Sequence, residues 1–280
     1  MVRRSVLFAP GDKPELLRNA PESGADTVVF DLEDGVAPAE KQRAREAVAS
    51  ILAEIDPECE LCVRINPLGK GAREDLDAVV GVSAPDTIVL PKVESGDDVH
   101  TIAELSQARG VRLPVFALLE TAQGVLRAEE IASAGPTTAV ALGGEDLAAD
   151  VGASRTPENT EVQYARQHVV LAAGAAGVDA IDILVTNFEE TDRLERETTE
   201  AIEFGFDGKM AIHPRQVDVI NDAFTPGAEE LDWAERVLAA RDRARESGKA
   251  VFAVDGEMID APLITQAERI IARAEAAGER

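Results

Sequence analysis

Eight short apolar runs, each followed by a stretch of helical character, constrain this chain more than any other feature. The runs lie at 5–9, 27–31, 61–65, 87–91, 115–119, 138–142, 180–185 and 209–212. Helix-like segments lie near 14–23, 39–55, 71–82, 97–109, 125–134, 158–176 and 189–204. Several runs are apolar throughout rather than alternating, as strands covered on both faces must be, and βα alternation makes neighbouring strands parallel. Eight is the number that closes a TIM (β/α)8 barrel. A doubly wound open sheet competes, but no G-x-G-x-x-G follows any run. A helix over 229–247, a run over 250–254, a loop over 255–260 and a helix from Pro262 remain, and a closed barrel cannot absorb them. The expected fold class is therefore α/β: a barrel domain over 1–225 and a C-terminal helical extension over 226–280. That extension is free to act as a lid over a barrel mouth, its own or a neighbour's.

Charge narrows the function classes. The chain carries 53 acidic and 28 basic residues, a net charge of −25. Binding nucleic acid through phosphates needs basic patches, so no nucleic-acid partner is expected. Self-repulsion of this size opposes the compact state in dilute buffer and fades at molar salt, where the Debye length is about 3 Å. The expectation is a halophilic, haloarchaeal protein. No apolar run reaches the roughly 20 residues of a membrane span. The run behind Arg3 and Arg4 stops at Pro10-Gly11, too soon for a signal peptide, so a cytoplasmic location is expected. Cys59 and Cys62 have C-x-x-C spacing but lead into a strand, with no Cys/His cluster elsewhere, and read as reduced structural cysteines.

The chemistry concentrates where strands end. Five consecutive strands terminate in polar residues: Asp31, Glu33 and Asp34, then Arg64 and Asn66, then Lys92, then Glu120, then Glu145 and Asp146. In a barrel all converge on the C-terminal face, where such folds keep their sites. Glu120 and Asp146 form a pair of oxygen ligands suited to Mg²⁺, with Mn²⁺ as an alternative occupant; Mg²⁺ keeps several waters and leaves room for substrate oxygens. A 2-oxo or 2-hydroxy acid could chelate such an ion and be polarised by it. Arg64 is a fixed cation with a forked donor set for an oxygen gaining charge, and Asp31, Glu33 and Asp34 would orient it or metal-bound water.

These motifs resemble the citrate lyase beta-subunit-like family within the HpcH/HpaI aldolase superfamily, which includes malyl-CoA, methylmalyl-CoA and citramalyl-CoA lyases. The matching stretches are Leu7-Phe8-Ala9-Pro10-Gly11, Asp31-Leu32-Glu33-Asp34-Gly35-Val36-Ala37-Pro38, Val63-Arg64-Ile65-Asn66 and Leu90-Pro91-Lys92. Further on are Leu119-Glu120-Thr121, Gly144-Glu145-Asp146-Leu147, Ala211-Ile212-His213-Pro214 and Met258-Ile259-Asp260. The resemblance runs over essentially the whole chain. It implies a TIM barrel, Mg²⁺ on Glu120 and Asp146, and Arg64 as the substrate arginine. It also implies a catalytic Asp260 that reaches into a neighbouring subunit's site, in a homotrimer or homohexamer. Phe8, Lys13, Ile212 and His213 match positions that contact CoA, and Glu145 is grouped with them. Where relatives often carry a lysine for CoA phosphates this chain has Asn19, with Arg18 beside it as the replacement contact. His213 also admits a plain reading, as a loop hydrogen-bonding residue.

The resemblance implies a Mg²⁺-dependent lyase that cleaves or forms a 3-hydroxyacyl-CoA, with an acyl-CoA and a 2-oxo acid, glyoxylate or pyruvate, as its small-molecule partners. Alternatives are a malyl-CoA thioesterase using the same site, a pyruvate-type aldolase without CoA, and a non-catalytic subunit of a lyase complex. Retention of Arg64, Glu120, Asp146 and Asp260 together argues against the last.

Overall fold

The computed structural model describes residues 2–81, 83–246 and 251–278. The expected element ends at Val82, Ser247 and Ala250 lie outside them. Strands β1 (Ser5–Pro10), β2 (Thr27–Asp31), β3 (Glu60–Arg64), β4 (Thr87–Leu90), β5 (Val115–Leu119), β6 (Thr137–Leu142), β7 (Asp179–Asp182) and β8 (Gly208–Ala211) close a parallel barrel in sequence order. The last strand returns to the first, with Val6 opposite Met210 and Leu7 opposite Ala211. The TIM barrel expected from the alternation is the fold. Gly208 is needed at this seam, because a Cβ there would sit 1.8 Å from the Arg3 carbonyl oxygen.

The strands are buried on both faces, which is why they read as continuous apolar runs. Val6, Val29, Cys62, Val89, Phe116, Ala139, Ile181 and Met210, one from each strand in turn, belong to the cluster that fills the barrel. Cys62 is thus a core residue, and burial raises the thiol pKa of both it and Cys59, as expected of inert structural cysteines. At the N-terminal ends of the strands the barrel is closed by charge rather than by apolar packing. Arg3 donates to Glu60 Oε2 and Oε1 at 2.7 and 2.8 Å and to Asp179 Oδ2 at 2.6 Å, while Thr27 and Thr87 also donate to Glu60.

The outer layer contains α1 (Pro14–Asn19), α2 (Lys41–Glu54), α3 (Ala72–Val80), α4 (Gly96–Gln107), α5 (Ala122–Leu126), α6 (Ala128–Ala132), α7 (Gly144–Asp150), α8 (Gln163–Ala176) and α9 (Thr191–Phe204). α7 was not expected from periodicity, because its seven residues are too short to show one. The helix expected over 125–134 is two short helices broken at Arg127, whose ψ of 20° leaves the helical region. The one expected from 158 begins only at Gln163. Between the barrel wall and these helices lies a buried ionic cluster: Asp182 accepts from Lys209 Nζ at 2.9 Å and from Arg166 Nε and Nη2 at 2.9 and 3.0 Å. Burial works against the Asp182 charge, but the two cations outweigh it and keep its pKa low.

Residues 3–221 form one compact unit; residues 1–2 and 222–280 form a second. Helix α10 (Arg215–Phe224) crosses this division in sequence, and the second unit's further elements include α11 (Ala228–Glu246), the antiparallel hairpin β9 (Phe252–Val254) and β10 (Glu257–Ile259), and α12 (Ala261–Ala276). The expected loop over 255–260 therefore contains a strand. Asp255 and Gly256 turn the hairpin with φ of 53° and 89°, the Asp-Gly pattern of a type I′ turn. Ala234, Val237, Val254, Ile259, Ala267 and Ile270 form this unit's core. Among the described residues no helix is long and apolar enough to cross a membrane.

Candidate active site

The end of β2 is built to hold one arginine. Asp31 accepts backbone hydrogen bonds from Glu33 and Gly35, each at 2.8 Å, which fold Asp31-Leu32-Glu33-Asp34-Gly35 into a tight turn around its carboxylate. A Cβ on Gly35 would lie 2.3 Å from Asp31 Oδ2, so only glycine fits. The Lys41 ammonium donates to the carbonyls of Leu32 and Glu33, both at 2.7 Å, and to Asn66 Oδ1 at 2.9 Å. Asn66 in turn donates to the Leu32 carbonyl and to Asp75. With its own turn fixed, Asp31 receives Arg64 Nε and Nη2 at 2.7 Å each. Arg64 Nη1 lies 3.1 Å from Glu33 Oε2, and the Phe8 ring covers its guanidinium at 5.1 Å. Burial opposes the arginine charge, but the Asp31 hydrogen bonds and the neighbouring carboxylates hold its pKa raised.

Beside this arginine stands a crowd of carboxylates. Glu120, just past β5, is 2 % exposed. Its Oε1 accepts the backbone N–H of Lys92 at 2.9 Å. The Lys92 ammonium is 2.9 Å from Glu33, 3.5 Å from Asp34, and 4.0 Å from each of Glu120 and Asp146. Burial, then the charges of Glu33 and Asp146, push the Glu120 carboxyl up to about 8 despite the two cations. Gly143 makes room for it, since a Cβ there would fall 2.6 Å from Glu120 Cβ and 2.7 Å from Oε2. Asp31, Arg64, Glu120, Glu145 and Asp146 share one cavity of about 290 Å³ with Phe8, Leu118, Ile183, Met210 and Ile212 on its apolar side. A buried Glu120 beside a half-exposed Asp146 is a pair of like-charged oxygen donors, and such a pair at a cavity fits a hard divalent cation. Among the described residues no three His, Cys, Asp or Glu side chains form a ready-made metal cage. Mg²⁺ needs none, because it takes one or two carboxylates and retains water.

The remaining expected residues are less closely gathered. Glu145 lines the cavity, but its carboxylate is paired with Arg155 at 2.8 Å. Ile212 lines the cavity and is partly exposed, and Gln216 Oε1 accepts the backbone N–H groups of Ile212 and His213. His213 Nδ1 accepts from the Arg215 N–H at 3.1 Å, so the loop role read for it is present, and its ring stacks on Phe188 at 4.4 Å. Phe188 drew no attention in the sequence because no periodic element contains it. Lys13 and Arg18 are exposed and paired with Asp12 and Glu54. Asp260 belongs to the C-terminal unit, at the N-cap of α12, and its side chain caps no backbone amide there.

The model of the HpcH/HpaI aldolase/citrate lyase family matches residues 4–214, a stretch holding all eight barrel strands and every strand-end residue of the cavity. The chain belongs to the HpcH/HpaI aldolase/citrate lyase family. Members of this family are similar to it over nearly its full length. The mitochondrial citramalyl-CoA lyase of Mus musculus is 36% identical over 99% of this chain and 88% of its own. The (3S)-malyl-CoA thioesterase of Cereibacter sphaeroides is 36% identical over 98% of this chain and 95% of its own. Among solved structures, the CitE protein of Mycobacterium tuberculosis in complex with magnesium, acetoacetate and coenzyme A superposes with a TM-score of 0.82 at 39% identity, covering 98% of both chains. Unlike the family match, these span the C-terminal unit and Asp260 as well.

Proposed function

We propose that this family member is a Mg²⁺-dependent carbon–carbon lyase that cleaves or forms a 3-hydroxyacyl-CoA such as malyl-CoA, β-methylmalyl-CoA or citramalyl-CoA. The observation that carries the reading is the placement of a locked Arg64 in the same cavity as the Glu120 and Asp146 carboxylates. Glu120 and Asp146 would hold the ion, which when bound supplies Lewis-acid polarisation of the substrate's oxygens.

The chain's own groups do the rest. At least two of the five Arg64 N–H donors remain after Asp31 and Glu33 are served, and they meet negative charge on the oxo-acid or thioester enolate oxygen as the bond between the two fragments breaks. Since Asp31, Glu33 and Phe8 hold the guanidinium beforehand, no reorganisation is needed when that charge develops. Leu118, Ile183 and Met210 form the apolar wall and exclude water from the thioester end of the cavity. In cleavage a base takes the 3-hydroxyl proton as the carbon–carbon bond breaks, and Asp260, brought by a neighbouring chain in a homo-oligomer, delivers a proton to the enolate carbon; in condensation both transfers run in reverse. Ile212, His213, Lys13 and Arg18 receive the CoA; a phosphate at Arg18 must displace Glu54.

The thioesterase among the relatives supports a second reading, in which water attacks the thioester in the same site. One assay separates the two. The protein, Mg²⁺ and a panel of hydroxyacyl-CoAs are incubated at molar KCl, and oxo acid is measured separately from free CoA. Glyoxylate or pyruvate without free CoA is the expected result. Free CoA with the hydroxy acid would establish the thioesterase instead, and neither product from any substrate would overturn both.

A further inference from the structure

Lys92 is one of the strand-end residues to which neither the turn around Asp31 nor the proposed chemistry gives a task. Its backbone is unusual. Among the described residues only Lys92, Asn159 and Asp255 have positive φ without being glycine, and Lys92 stands at 52°. Asparagine and aspartate visit this region readily; lysine does not, and keeps such a conformation only where its surroundings impose it. Here they do. The Lys92 N–H donates to Glu120 Oε1, and the next N–H, of Val93, reaches the Leu118 carbonyl at 3.3 Å. The twisted backbone lets one residue hand its amide to Glu120 and its ammonium to the centre of the carboxylate group.

The distances divide into an anchor and a reach. Glu33 accepts a hydrogen bond from the ammonium at 2.9 Å. Asp34 is 3.5 Å away, and Glu120 and Asp146 stand at 4.0 Å, too far to be bonded but close enough to feel the charge strongly. The other cation nearby, Arg64, is held by Asp31 and Glu33, and its remaining donors are those assigned to the substrate. Four carboxylates thus surround one ammonium that occupies the lone pairs of neither proposed metal ligand.

We propose that Lys92 is a tethered counter-cation, a positioning residue that holds Glu33, Glu120 and Asp146 together when no divalent ion is present and weakens the hold of that ion when it arrives. The inference rests on the reading of Glu120 and Asp146 as ligands. Lys92 sets the affinity of the site, trading tight binding for a cavity that keeps its shape without metal.

The test is calorimetric titration of Mg²⁺ and Mn²⁺ into wild type, Lys92→Met, Lys92→Gln, Lys92→Arg and Glu120→Gln, at pH 9 and equal ionic strength, with thermal unfolding in EDTA as a second readout. Lys92→Met and Lys92→Gln should bind the ions about tenfold more tightly or better, unfold at lower temperature in EDTA, and gain more from added Mg²⁺. Lys92→Arg, which keeps the charge, should stay within about threefold of wild type. A neutral variant that folds only with Mg²⁺ supports the proposal equally. Wild-type or weaker ion binding by both neutral variants overturns it. If Glu120→Gln binds the ions as wild type does, the ligand assignment itself is wrong, and the Lys92 proposal goes with it.

Discussion

Arg64 and Asp31 meet fork to fork: Nε lies 2.7 Å from Oδ1 and Nη2 2.7 Å from Oδ2. The same two Asp31 oxygens also accept the N–H groups of Glu33 and Gly35, so one carboxylate fixes both the turn and the arginine. Asp31→Asn keeps the shape but must offer an N–H where Asp31 accepts. We expect a loss of about 1–3 kcal/mol in unfolding free energy by urea titration. Turnover should fall by much more than the stability loss implies, because Arg64 is no longer held. Wild-type turnover in a folded Asp31→Asn protein would show that Arg64 needs no such clamp.

The barrel could be read from the chain because its signal is repeated eight times, and strands buried on both faces leave long apolar runs. The strand-end residues were legible for the same reason: once strands are placed, Glu120 and Arg64 have one rim to occupy. What stayed hidden depends on single contacts. Nothing in local pattern marks Gly143, whose role exists only because Glu120 packs on it from another strand. Lys41 sits at the start of an ordinary helix, and only the fold shows its ammonium on two carbonyls of the Asp31 turn. Phe188 stacks on His213 from a loop without periodicity. The hairpin at Asp255-Gly256 is the exception: its turn signal is in the sequence, but the three residues after it, Glu257–Ile259, are too few to read as a strand and fall in the expected loop.

Glu120 gives the metal-free protein a pH dependence of definite sign. Its carboxyl ordinarily titrates near 4.5 and in the folded protein is pushed up to about 8. The folded state therefore holds this proton more tightly than the unfolded chain does. The stability that comes from the neutral group is fully present below 4.5 and lost as pH rises through about 8. In EDTA, unfolding free energy should decline across that window. Glu120→Gln should flatten the decline while abolishing turnover, and saturating Mg²⁺ should flatten it in wild type. An identical slope in Glu120→Gln would assign the titration to another group.

Gly143→Ala asks whether one methyl group can disable the cavity. It would place a Cβ 2.7 Å from Glu120 Oε2, and the carboxylate can give way only by leaving the position in which it accepts the Lys92 N–H. Circular dichroism should remain that of the folded barrel while Mg²⁺ affinity drops at least about tenfold. Unchanged affinity would mean that Glu120 repacks freely or is not a ligand.

The charge of −25 predicts dependence on salt. The melting temperature should rise steadily from low salt to about 1 M KCl, where screening acts within about 3 Å. A melting temperature indifferent to KCl would remove the halophilic reading.

Asp260→Asn should bind Mg²⁺ and acyl-CoA yet fail to turn over. If Asp260 serves a neighbouring chain, mixing this variant with an equally inactive Arg64→Ala variant should restore part of the activity. Hybrid assemblies would contain sites with both residues intact. Complete subunit exchange, checked by mass spectrometry of tagged chains, without any recovery would place the Asp260 function within its own chain or nowhere.

The Arg3 network also bears on how the barrel is made. Arg3 lies just ahead of β1, yet the partners of its guanidinium lie 57, 135 and 176 positions further on, at Glu60, Thr138 and Asp179. A chain that stops short of β7 has the arginine and Glu60 but lacks Asp179, so the set of acceptors is incomplete. Asp179 completes the set and joins the approach to β1 to the start of β7. A single side chain thus ties the approach to β1 to residues near β3, β6 and β7, the kind of long-range pairing that forms slowly in a folding chain.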